Sequence, residues 1–239
     1  MTHLAKRIFI AVFFVLVAAA AAEAQVGIHI GINVPTFPRL VAVPGYPVYY
    51  APDVRGNYFF YDGLYWVFNV DDGYWYSSSW YNGPWVVVEP DYVPQPILVV
   101  PYRYYRVRPR YWSGWTLDRP PHWGDYWGAR WVERHHDWDH WDRRASHSAA
   151  PLPTYQRRYS GSRYPQASEH GTLHNDQYKY RPQDDRVREQ HSKIVERESR
   201  GGEKANGRAE WIEKNRGGEQ KGGGGERGSR EERPGKGRD

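Results

Sequence analysis

Cysteine is absent from all 239 residues. That excludes a disulfide framework, thiolate metal sites, a cysteine nucleophile and a lipid carried on an N-terminal cysteine. Whatever folds here must hold together by packing alone. Other absences narrow the function. There is no glycine-rich phosphate loop, no G-x-S-x-G elbow, no dinucleotide fingerprint and no H-E-x-x-H pair. Acidic residues in the aromatic part of the chain cluster in expected turns (Asp62, Asp71, Asp72), where turn formation accounts for them. The sequence therefore offers no catalytic residue and no cofactor site, and a non-enzymatic role is expected. Apolar side chains are also scarce overall, with a mean hydropathy of −0.87.

Long hydrophobic runs are missing apart from one. Lys6 and Arg7 precede the apolar stretch Ile8–Ala22, and Ala22-Glu23-Ala24 fits a small-x-small cleavage pattern. The run falls short of the ~20 residues that span a bilayer. Residues 1–24 are read as a signal peptide, with no transmembrane span left after cleavage. The expected location is periplasmic or secreted. A net charge of +5 suits weak attraction to anionic envelope polymers, and export argues against a nucleic-acid partner.

What the chain does have is aromatic residues, unevenly spread. Eleven of the twelve tryptophans fall between Trp66 and Trp141. Residues 25–56 are proline-rich and read as extended chain, with edge pairing near Val26–Val34 and Leu40–Val43. Residues 57–145 carry the expected core. Residues 146–239 are polar and, toward the end, rich in glycine and charge, and read as a disordered tail.

Within the core, Asp62-Gly63, Asp71–Gly73 and Asn82-Gly83 mark hairpin turns of an antiparallel meander. A two-residue first turn and a three-residue second turn place Phe59, Tyr61, Leu64, Trp66, Phe68, Val70, Tyr74 and Tyr76 on one face, the core side. Tyr58, Phe60, Tyr65, Val67, Asn69, Trp75, Ser77 and Ser79 fall on the other. Pro84 lacks the N–H that would close a two-residue third turn, so that register is expected to slip by one. Ile97–Val100 reads as a further strand. Trp123, Trp127, Trp131, Trp138 and Trp141 recur on one arc of a single amphipathic helix that would cover the sheet. The expected fold class is α+β: a small meander of aromatic strands beneath one tryptophan-striped helix.

The motifs VAVPGYPVYYAP, YFFYDGLYWV, SSWYNGPW and VPYRYYR, followed by HWGDYWGARW and PLPTYQRRYSGSRYP, occur in this order. Over roughly Val41–Pro165 the chain resembles a family of uncharacterised exported Tyr/Trp-rich proteins of Proteobacteria. The resemblance implies a Gram-negative periplasmic or secreted setting and carries no activity, fold, ligand or functional residue with it.

Three constellations could carry chemistry. On a helix, His136 and His140 would stand one turn apart and could chelate a divalent metal. His135 and Asp139 make a neighbouring pair, Asp137 and Asp142 could assist, and His122 or His147 could add a ligand. The plainer reading is a solvated face opposite the tryptophans. Tyr58, Tyr65, Trp75 and Tyr81, with Ser77 and Ser79 between them, suit stacking on sugar rings of peptidoglycan or another polysaccharide. Their plainer reading is a second core layer beneath the proline-rich segment. Tyr102–Arg110 interleaves cations with rings and suits phosphate, lipid headgroup or nucleic acid; the alternative is an edge strand with snorkelling arginines.

Overall fold

A computed structural model describes residues 31–142 and 148–198. Residues 1–30, 143–147 and 199–239 lie outside the described residues, and with them the expected signal peptide, His147 and the glycine-rich end. The fold is α+β. Six strands, β1 (Val41–Ala42), β2 (Val48–Tyr50), β3 (Asn57–Tyr61), β4 (Leu64–Phe68), β5 (Trp75–Ser78) and β6 (Val86–Val88), form one antiparallel sheet in sequence order. Among the described residues five α-helices accompany it: α1 (Gln95–Leu98), α2 (Trp123–Trp127), α3 (Ala129–Arg134), α4 (Ala167–Gln177) and α5 over residues 185–198.

The first hairpin forms as its turn residues dictate. Tyr61 pairs with Leu64 across Asp62 (φ +49) and Gly63 (φ +92), a left-handed pair that matches the strand twist. The second hairpin differs from expectation by one residue. Phe68 pairs with Trp75 rather than Tyr76. Asn69 Oδ1 accepts from the Asp71 N–H (3.1 Å), and Asp72 Oδ1 accepts from the Tyr74 N–H (2.9 Å), so side-chain turns absorb one more residue. With a period of two, that slip turns β5 over. Trp75 joins Phe59, Trp66 and Phe68 on the first face, Tyr76 packs with the second, and Tyr74 is left 51% exposed. At the third turn Ser77 pairs with Val86, a shift of two from a turn centred on Asn82-Gly83.

Both sheet faces are covered. On the first, Val93, Ile97, Leu98, Trp112, Trp123 and Trp131 pack with Val187 and Ile194 of α5. The expected strand at Ile97–Val100 is instead helix α1: Pro94 and Pro96 cannot donate to a ladder, but proline suits the first turn of a helix. The single striped helix is corrected to two. Gly128 (φ +85, ψ 173) ends α2 and begins α3, and α3 stops at Arg134. Tyr102–Arg110 is not an edge strand; it opens with a 3-10 turn at Tyr102–Tyr104.

The second face holds Tyr58, Phe60, Tyr65, Val67, Tyr76, Tyr81 and Trp85. Its cover is Val34, Ile32 and Phe37 from the proline-rich segment together with Ala150, Leu152, Tyr164 and Tyr180. The reading of everything past residue 146 as an unstructured tail is therefore corrected for 148–198, which folds back on the sheet. Trp80 alone is ringed by Tyr155, Tyr159, Tyr164 and His170 at 4.5–5.8 Å. No helix among the described residues is long and apolar enough to cross a membrane.

Candidate functional site

The four rings singled out as a ligand surface lie inside the protein. Tyr58, Tyr65 and Tyr81 are at most 1% exposed, and Trp75 is on the opposite face, also 1% exposed. Each second-face tyrosine hydroxyl is held: Tyr58 donates to Tyr81 O (2.6 Å), Tyr65 to Gln156 Oε1 (3.0 Å) and Tyr81 to Tyr159 O. Desolvation pushes the Tyr58 and Tyr65 phenols well above their ordinary range, so both stay neutral donors. These rings form the second core layer.

His136 and His140 lie past the end of α3, on consecutive turns, so the one-turn helical spacing does not form. Both are more than three-quarters exposed and both approach Asp137, His136 Nε2 at 2.7 Å and His140 Nδ1 at 3.4 Å. Among the described residues no group of three histidine or carboxylate side chains gathers as a metal site. His135 turns inward instead, stacking on Trp131 at 4.7 Å, with Nδ1 3.0 Å from the Trp131 carbonyl.

An open surface of mixed chemistry surrounds Trp138. Two clefts share this ring. One, of about 330 Å³, is lined by Arg119, Pro120, His122, Gly124, Asp125, Trp138 and Asp139. The other, of about 230 Å³, is lined by Gln95, Leu98, Arg134, His135, His136, Asp137, Trp138 and Arg186. Local structure fixes the ring. The Trp138 N–H bonds the His135 carbonyl (2.9 Å), and its indole packs on Trp131 at 5.7 Å. Gln95, on α1, sends its amide to the carbonyls of Asp137 (2.9 Å), His140 (3.0 Å) and Trp138 (3.3 Å). Arg134 grips both oxygens of Asp91 at 3.0 Å, tying α3 to the loop after β6. In the larger cleft His122 stacks on Trp115 at 4.5 Å and contacts Asp125 at 3.2 Å.

A flat apolar ring between cations, carboxylates and imidazoles can stack on one ligand face while polar groups bond its rim. Sequence reasoning placed Trp138 in the buried stripe, whereas the ring is half-buried and lines two clefts. Gly124 and Gly128, which disfavour a continuous helix, are the one feature of the sequence that argues against that stripe. Gln95 gave no signal at all. Comparison with family models, curated proteins and solved structures finds no match.

Proposed function

We propose that this protein is an exported, non-catalytic module of the cell envelope that holds a carbohydrate polymer, peptidoglycan or another polysaccharide, at the paired clefts around Trp138. The observation that carries this reading is a half-buried indole, packed on Trp131 with its backbone carbonyl held by Gln95, that two polar clefts share. Sugar rings present apolar faces and hydroxyl rims, and a chain of them can lie across adjacent shallow clefts. The leader-like start and the family resemblance support a periplasmic or secreted setting in a Gram-negative cell.

Co-sedimentation with purified peptidoglycan sacculi and with insoluble polysaccharide tests this reading. The wild-type protein is expected in the pellet of at least one, and Trp138→Ala is expected to weaken that binding about tenfold or more, the loss of one stacked ring. Added chelator should leave the binding unchanged. A wild-type protein that stays in the supernatant with every polymer, or a Trp138→Ala variant that binds as wild type, defeats the proposal.

A further inference from the structure

The core and the clefts leave one sequence motif unused, the arginine-rich segment Tyr102–Arg110. Its tyrosines anchor it: Tyr102 and Tyr105 are buried in the first-face core. Its crest is clamped from below by Asn57, a fully buried residue of β3. The Asn57 amide nitrogen donates to the Val107 carbonyl (2.8 Å), and its oxygen accepts from the Val107 N–H (2.9 Å). That clamp fixes the backbone between Arg106 and Arg108 and leaves Val107 37% exposed.

The surface extends to the segment alongside. The Arg103 N–H bonds Leu117 O (2.9 Å) and the Tyr102 N–H bonds Arg119 O (2.8 Å), so Leu117, 48% exposed, lies beside the arginines. Arg108 lies 4.7 Å over the Tyr102 ring and donates to the Tyr105 carbonyl at 3.2 Å. From 102 to 119 there are five arginines and one carboxylate, Asp118, which pairs with Arg103. Arg106 and Arg110 are exposed; Arg106 lies in the field of Asp53, a carboxylate that is bonded to Arg39. Four large apolar side chains are exposed among the described residues, and two of them, Val107 and Leu117, sit in this arginine-rich segment and the stretch of chain beside it.

We propose that this surface docks on an anionic lipid membrane, with the arginines on headgroup phosphates and Val107 and Leu117 entering the boundary between headgroups and acyl chains. Guanidinium groups match phosphate geometry, and an anionic leaflet attracts clustered cations within a Debye length. A dissolved polyanion would use the arginines equally well but would gain nothing from exposed aliphatic side chains. Their position favours a lipid surface. Arg119 borders both this surface and the larger Trp138 cleft, but Arg106, Val107, Arg110 and Leu117 line neither cleft, so either proposal can fail alone.

The test is co-sedimentation of the protein, in the form the cell accumulates, with phosphatidylglycerol vesicles, phosphatidylcholine vesicles and, separately, binding to inorganic polyphosphate. Wild type is expected to bind the anionic vesicles and not the zwitterionic ones, and to release as salt rises. Arg106→Gln with Arg110→Gln should weaken vesicle binding about 25-fold, the combined effect of two surface cations. Val107→Ser with Leu117→Ser should weaken vesicle binding severalfold and leave polyphosphate binding unchanged. The substituted side chains are exposed, and circular dichroism melting confirms that each variant folds. Equal binding to both vesicle types overturns the proposal, as does wild-type behaviour of the arginine variant. Loss confined to the arginine variant, in parallel for vesicles and polyphosphate, assigns the surface to a soluble polyanion and overturns it too.

Discussion

At the scale of single residues, the second core layer is knit by a hydrogen-bond network among buried polar groups. Gln156 is the hub. Its oxygen accepts from the Tyr65 hydroxyl (3.0 Å) and the Tyr81 N–H (3.3 Å), and its nitrogen donates to Ser79 O (2.9 Å) and to the Tyr155 hydroxyl (3.0 Å). Because Tyr155 accepts from Gln156, its own proton is free to go to Nδ1 of His174 at 3.0 Å. That bond requires a neutral imidazole. Burial, with the nearby His191 and His170, lowers the His174 pKa to about 4. The folded-state value lies below the unfolded one, so as pH falls the unfolded chain takes up the proton first. Stability from this group is complete above about pH 6.5 and is lost progressively down to about pH 4, by about 3 kcal/mol in all. Urea midpoints at pH 7.5 and 4.5 should show this fall in wild type and a smaller one in His174→Gln, whose amide oxygen can still accept from Tyr155. Equal pH dependence in the two proteins would assign the effect elsewhere.

At the scale of elements, one turn does two tasks. Asp62 forms the first hairpin, as its Asp-Gly sequence indicates. Its carboxylate also accepts from the Gln183 N–H (2.8 Å), the Asp184 N–H (2.8 Å) and the Tyr180 hydroxyl (2.5 Å). Asp184 in turn caps α5, accepting from the Arg186 N–H at 2.9 Å. The hairpin thus holds a segment more than a hundred residues away. Asp62→Ala removes three charge-assisted bonds around a buried group and should cost about 2–4 kcal/mol. Hydrogen exchange should locate the loss in α5 before the strands. Uniform loss of protection would instead indict the turn itself. The sequence made the hairpin legible because an Asp-Gly pair carries its own backbone preference. It could not show the carboxylate's distant partners. The β4–β5 loop failed for a related reason: Asn69 and Asp72 bonded the local backbone and added a residue, which turned Trp75 inward and Tyr76 to the other side.

At the scale of the whole molecule, the sheet needs cover on both faces, and the second cover comes largely from residues that look too polar to fold. Every aromatic neighbour of Trp80 lies beyond residue 154. A chain cut after residue 145 exposes Trp80, Tyr65 and Tyr81, whereas one cut after residue 198 keeps them dry. The shorter chain should lack cooperative melting and show tryptophan fluorescence open to acrylamide, and the longer one should melt in a single transition. Truncating one fully buried large aromatic side chain alone costs about 3–5 kcal/mol, and the shorter chain uncovers several rings at once. Cooperative melting of the shorter chain would make the 148–198 segment an accessory.

The sequence by itself determined the antiparallel aromatic sheet, its first turn and the reliance on packing without covalent links, because strand alternation, Asp-Gly chemistry and the lack of cysteine are local properties. Only the tertiary structure decided which rings are buried, where the tryptophan helix breaks and that the polar segment folds back. Those outcomes depend on partners far along the chain: Gln156 beneath Tyr65, Asp184 against Asp62, and Gln95 beneath Trp138. A polar residue read alone looks destined for water, and these enter the interior because a distant hydrogen-bonding group replaces that water.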